Sequence, residues 1–271
     1  MADASTQDRA EDVLLQSTED RIRVLTLNRP KARNALNSSL FAALLDALVK
    51  ADDDDSVDVV VLTGADPAFC AGIDLKEAAE RGRAFFDIIG DGSCITKTGR
   101  MNKPIIGAIN GATFTGGLEM ALGCDFLIAS ERAVFADTHA RVGIVPGGGM
   151  TARLPGAVGL RQARLMSMTG DSIDAYQAER FGLVVEVVPH DRLLERTMSI
   201  ARSITEAVPE TILALKRLYS EGSATTVGEA LELEQTVAAS VSLDLSQLGA
   251  RRDAVMRRNR GQISDDREGA P

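Results

Sequence analysis

Tryptophan is absent, tyrosine occurs only at Tyr176 and Tyr219, and the 271 residues include three cysteines and two histidines. With aromatics at 4%, the chain lacks the stacking platform that binds single-stranded nucleic acid. Acidic residues outnumber basic ones, 39 to 30, for a net charge of −9. That balance argues against a phosphate-backbone binder, although a local basic patch can still hold a phosphate-bearing ligand. Cys70, Cys94 and Cys124 are widely spaced and form no CxxC pair, so neither a disulfide framework nor a zinc site is suggested. No apolar run is long enough to span a bilayer. Residues 1–12 are polar and acidic, unlike a signal or transit peptide, and are expected to be disordered. These absences lead us to expect a cytoplasmic protein with reduced thiols and with no metal, nucleic acid or membrane partner.

What remains is ordinary for a globular domain, at 45% hydrophobic and 25% charged residues, and long enough to bury a substantial core. Residues 13–16 and 21–27 read as a hairpin around 17–20. A basic loop follows, in which Arg29, Lys31 and Arg33 either meet an anionic ligand or are simply solvated. Asn37 or Ser38 caps a helix whose core stripe runs Leu40, Phe41, Leu44, Leu45, Leu48 and Val49. Residues 57–63 and 104–109 read as buried strands, and 77–100 as helical but broken by Gly82, Gly90, Gly92 and Gly99.

The chain's chemistry concentrates in Asn110-Gly111-Ala112-Thr113-Phe114-Thr115-Gly116-Gly117-Leu118-Glu119. A strand, a glycine-rich turn and a helix are expected here. Gly116 and Gly117 let a ligand approach the main chain, and the first amides of the helix favour negative charge. Glu119, nearly a turn further on, either faces the same pocket as an acid or base or lies in a solvated first turn. Residues Phe69-Cys70-Ala71-Gly72-Ile73-Asp74-Leu75-Lys76 form a second small-residue loop. There the Ile73 amide is a second donor for an oxyanion, and Asp74 is a helix cap. His190, the other histidine besides His139, sits in a turn and is expected at the surface.

Together these two loops, with Leu27-Asn28-Arg29-Pro30, Cys124-Asp125, the turn Gly143-Ile144-Val145-Pro146-Gly147-Gly148-Gly149 and the segment at 169–188, resemble the enoyl-CoA hydratase/isomerase (crotonase) family over roughly residues 13–261. The resemblance implies an α/β fold: a spiral of repeated strand-strand-helix units at 13–200, then a helical trimerisation region at 201–261, with 262–271 a disordered tail. It implies an acyl-CoA substrate, no cofactor beyond the coenzyme A of that substrate, and a homotrimer or a hexamer of paired trimers. Carried over by position, the oxyanion amides are those of Ile73 and Gly116, and the first catalytic carboxylate is Glu119. Candidate substrate and CoA contacts are Arg29, Lys31, Ala71, Gly72, Asp74 and Gly117. Where the family's hydratases carry a second glutamate, this chain has His139. An imidazole can both give and take a proton, and Asp137 could orient its ring if the segment is extended. Hydration of a 2-enoyl-CoA is therefore expected. Isomerisation, decarboxylation or retro-aldol cleavage of another acyl-CoA, and non-catalytic acyl-CoA binding, remain the alternatives.

Overall fold

The computed structural model describes residues 13–89, 93–241 and 245–268. Of the ends expected to be disordered, 1–12 and 269–271 lie outside these residues, as do Gly90 and Gly92 of the broken helical stretch, whereas 262–268 are a correction, since they continue the C-terminal helix that ends at Glu268.

Asp20 and Arg21 both sit at positive φ, 50° and 65°, the geometry that closes a two-residue hairpin without splaying its strands. The strands β1 (Leu14–Glu19) and β2 (Ile22–Leu27) therefore extend closer together than the sequence reading placed them, and pair antiparallel. Next comes α1 (Ser38–Asp53), where the Asn37 side chain accepts from the Leu40 amide and Leu40, Phe41, Leu44 and Leu48 are buried, while Val49, expected in the core stripe, lies at its edge and is exposed. The chain continues through β3 (Val59–Gly64), β4 (Ala68–Cys70) and three short helices, α2 (Leu75–Arg81), α3 (Arg83–Ile89) and α4 (Cys94–Thr98).

A second turn of chain supplies β5 (Ile105–Ile109), β6 (Ala112–Phe114) and α5 (Gly116–Ala121). The strand β6 corrects the expected uninterrupted turn between strand and helix, because Ala112, Thr113 and Phe114 find ladder partners on neighbouring strands that sequence spacing does not reveal. A third turn gives β7 (Phe126–Ser130), β8 (Val134–Ala136), α6 (His139–Val142), α7 (Met150–Val158) and α8 (Leu160–Thr169). Then follow β9 (Ile173–Asp174), α9 (Ala175–Phe181), β10 (Glu186–Val188), α10 (Leu193–Thr205), α11 (Pro209–Gly222), α12 (Val227–Ser240) and α13 (Leu248–Glu268).

The strands sort into a six-stranded sheet, β1-β2-β3-β5-β7-β10, and a four-stranded sheet, β4-β6-β8-β9. Each turn of the chain gives one strand to the large sheet and the next to the small one, so β3/β4, β5/β6 and β7/β8 are successive strand-strand units separated by helices. This is the spiral expected from the resemblance. The large sheet is parallel from β2 to β10 and buried on both faces, which is why its strands read as continuous apolar runs such as Val59-Val60-Val61-Leu62. One face packs against α1 through Leu25, Leu44 and Leu62, and the other against α10 through Leu193, Met198 and Ala201. The chain divides into two compact units, one ending at Arg217 and the other beginning at Leu218. In the second unit α12 opens with a capping box, the Thr226 hydroxyl and the Glu229 carboxylate each bonding the other's amide.

Candidate active site

Three parallel strands of the small sheet, β4, β6 and β8, lie side by side with Cys70 opposite Thr113 and Phe114 opposite Ala136. The segments leaving their C-terminal ends, 71–74, 115–119 and 137–139, are therefore neighbours although they are far apart in sequence. Open parallel sheets bind ligands at this edge. A cleft of about 380 Å³ opens here, lined among others by Ala71, Ile73, Gly116, Glu119, Thr138 and His139.

The loop after β4 is held by main-chain pairing. Leu36 N–H donates to the Gly72 carbonyl and Asp74 N–H to the Leu36 carbonyl, 2.8 and 2.9 Å. The Ile73 amide between them donates to none of the described residues, and neither does the Gly116 amide at the first position of α5. The two loops abut. A Cβ on Gly72 would lie 3.4 Å from the Gly116 nitrogen, and one on Gly116 would lie 3.8 Å from the Ile73 nitrogen. Thr115 precedes Gly116 at φ 52°, a rare conformation for a β-branched residue. It is tied to the next loop by its N–H to the Ala136 carbonyl, 3.0 Å, and by a hydroxyl contact with Thr138.

Glu119 is buried, with 3% of its surface exposed, and so is not in a solvated first turn. Its Oε1 accepts from the amides of Gly148 and Met150 at 2.8 and 3.2 Å, which leaves Oε2 facing the His139 ring, 3.7 Å from Nε2. The glycine turn is shaped for this contact, since a Cβ on Gly148 would lie 2.6 Å from Oε2. His139 is likewise buried. Its Nδ1 lies 2.6 Å from Asp137 Oδ1, which also accepts from the His139 amide at 3.2 Å. The segment is not extended at this point. His139 starts α6, and the chain turn lets residues two apart meet. Burial alone would push the Asp137 carboxyl up. The bonds from His139, with the Ser167 hydroxyl nearby, outweigh it and hold the group below the usual carboxylate range. Asp137 Oδ2 has no hydrogen-bond partner among the described residues. The result is a buried row, Asp137, His139, Glu119, whose open end is Glu119 Oε2 and His139 Nε2. Such a row can take a proton from one small molecule and give it to another.

Of the other residues singled out from sequence, Ala71 lines the cleft, whereas Arg29, Lys31, Gly72, Asp74 and Gly117 are not among its lining residues. Arg29 bonds Asp74 at 3.0 Å, and Asp74 caps α2 through the amides of Lys76 and Glu77. Lys31 is exposed in a short turn. Gly117 packs so closely on β4 that a Cβ there would lie 2.2 Å from the Cys70 carbonyl oxygen. Gly117→Ala is therefore expected to cost about 1–3 kcal/mol by overpacking. Denaturant unfolding checks this, and an unchanged midpoint would mean that α5 shifts freely.

His190 is a correction to the expected surface position. Its Nδ1 lies 2.9 Å from the Ser130 hydroxyl and its Nε2 3.0 Å from Asp66, a partner 124 residues away that no local pattern could supply. Burial pushes the Cys70 and Cys124 thiols up to about 12, so neither offers a thiolate at neutral pH. Among the described residues there is no acidic, histidine or cysteine cluster fit to hold a metal, and no helix long and apolar enough to cross a membrane. Sequence reasoning missed the Gly148 and Met150 amides that fix Glu119, although the glycine run at 147–149 marked a turn there.

The model of the enoyl-CoA hydratase/isomerase family matches residues 17–249. The chain is 38% identical over 216 residues to the probable peroxisomal enoyl-CoA hydratase 1 of Arabidopsis thaliana, covering 79% of this chain and 80% of that one. It is 37% identical over 222 residues to the 2,3-dehydroadipyl-CoA hydratase of Escherichia coli K12, covering 82% and 87%. The crystal structure of enoyl-CoA hydratase from Mycobacterium tuberculosis H37Rv superposes with a TM-score of 0.71 at 47% identity, over 84% of this chain and 98% of that one.

Proposed function

We infer that this chain, which belongs to the enoyl-CoA hydratase/isomerase family, adds water across the double bond of a 2-enoyl-CoA thioester. The observation that carries the reading is the meeting of two undonated amides, Ile73 and Gly116, with a buried carboxylate and imidazole in one cleft.

The thioester oxygen sits between the Ile73 and Gly116 N–H groups. Glu119 Oε2 takes a proton from water as the water oxygen bonds to the β carbon, and the π electrons move onto the thioester oxygen as an enolate. Two fixed amides stabilise charge that develops only as the reaction proceeds, which lowers the barrier rather than merely tightening binding. Glu119 passes that proton across the 3.7 Å gap to His139 Nε2, which delivers it to the α carbon as the carbonyl reforms, so the site ends as it began. Because Asp137 occupies Nδ1, Nε2 is the nitrogen left to do this work.

The reading carries further parts. No cofactor is needed beyond the coenzyme A of the substrate, the protein works in the cytoplasm, and its C-terminal helices assemble homotrimers, alone or paired. Mixing purified protein with short-chain and medium-chain 2-enoyl-CoAs is expected to bleach the absorbance of the conjugated thioester. Tight binding without bleaching at any chain length would refute hydration.

A further inference from the structure

Helix α4 uses its sides for different purposes. Lys97 reaches away to Asp52 at 2.8 Å, a carboxylate whose side chain is only 2% exposed, and the Thr98 hydroxyl packs on α5 through the Met120 carbonyl at 3.1 Å. Ser93 at the N-cap, Thr96 within the helix, its hydroxyl donating to the Ser93 carbonyl at 3.1 Å, and Arg100 just past the helix end all line the cleft. Among the described residues the Arg100 guanidinium is the only lysine or arginine group on the cleft wall, and it has no hydrogen-bond or ion-pair partner there. The wall around it is otherwise largely apolar, with Phe86, Val142 and Val145 among its residues.

This helix also touches the reacting centre. Ile95 packs at the spot where a Cβ on Gly116 would lie 3.2 Å from its Cδ1, and one on Gly148 would lie 2.5 Å from its Cγ2. Arg100 lies two residues past the end of α4 at Thr98, its amide bonded to the Lys97 carbonyl at 2.9 Å. Its cation lines the same cleft as Ile73, Gly116 and Glu119, so an acyl chain whose thioester carbonyl lies at Gly116 shares its wall with that cation.

We propose that Ser93, Thr96 and Arg100 form a subsite for a carboxylate at the distal end of the acyl chain, so that the preferred substrate is a short 2-enedioyl-CoA rather than its methyl-ended counterpart. The proposal rests on the hydration reading for its chemistry. The physical reason is that a carboxylate there meets a fork-shaped cation otherwise left unpaired, with hydroxyls beside it, whereas a methyl end leaves that cation facing an apolar chain. Arg100 is exposed, so the pairing is of the solvent-screened kind and its effect is moderate.

The test compares two six-carbon substrates, trans-2-hexenoyl-CoA and the 2-enedioyl-CoA with a carboxylate in place of the terminal methyl. The ratio of their kcat/KM values, diacid over monoacid, is expected to fall about threefold to fivefold in Arg100→Met and to recover in part in Arg100→Lys. Calorimetric binding of the saturated thioesters hexanoyl-CoA and adipyl-CoA reads the same preference without turnover. Loss of hydration in the wild type would sink the functional reading, while this binding ratio would still judge the subsite. An equal loss for both substrates in Arg100→Met would mean that the arginine serves the CoA phosphates. An unchanged ratio would mean that it serves neither. Either result overturns the proposal.

Discussion

Glu119→Gln is expected to lower kcat for hydration by on the order of 10²–10⁴-fold, the range removed with a general base. Affinity for an unreactive saturated acyl-CoA should stay within a few-fold, because the amides that grip the thioester are untouched. The substitution is informative because it spares the fold. The glutamine carbonyl can still accept from the Gly148 and Met150 amides that now bond Oε1 at 2.8 and 3.2 Å, so only the oxygen facing His139 changes. Glu119→Ala, by contrast, leaves those two buried donors unsatisfied and is expected to cost an additional 1–3 kcal/mol or about that per donor in stability. Steady-state kinetics with thermal unfolding separates the outcomes. Near-normal turnover in Glu119→Gln would show that another group activates the water.

The second large effect is expected at Asp137. Asp137→Ala removes the acceptor that fixes His139 Nδ1 at 2.6 Å and is expected to lower kcat on the order of 10²-fold with little change in KM. Asp137→Asn keeps an acceptor oxygen but no charge and should fall between Asp137→Ala and the wild type. Nitrogen NMR of the histidine ring gives a readout that general destabilisation would not move, since the proton should stay on Nδ1 only while residue 137 accepts it. The acid limb of stability provides a further check. A carboxyl held below its ordinary range stabilises the fold fully above that range, and the contribution is lost as pH falls through the depressed value. Asp137→Ala should flatten the stability curve between roughly pH 5 and that value. Identical acid limbs in the two proteins would contradict the assignment.

The same row of residues decides what His139→Glu would do. A second glutamate would stand beside both Asp137 and Glu119 in a buried pocket, and like charges at such distances resist joint ionisation. Activity and stability are expected to fall. A rise in hydration would instead mark the histidine as the remnant of a lost glutamate.

The periods and punctuation of the chain were legible because they are local. The stripe from Leu40 to Leu48, the cap at Asn37, the apolar strands before Gly64 and Gly111 and the capping role of Asp74 all follow from neighbours within a turn or two. Gly116 and Glu119 could be singled out for a similar reason, since a glycine turn ahead of a helix has a physical use wherever it occurs. The sequence could also show that residue 139 is an imidazole, but not whether that imidazole meets anything. The structure settled what depends on partners distant in sequence. Alignment of β4, β6 and β8 brings segments at 71, 115 and 137 to one edge, where Glu119 faces His139. The glycine turn near 148 supplies the amides that orient Glu119, and the buried Ser130 hydroxyl holds His190 half-buried, with Asp66 on the ring's other nitrogen. Side-chain period and backbone conformation are set by contacts within a few residues, whereas hydrogen-bond partners and buried charge depend on which strands lie side by side. Only the folded sheet determines that.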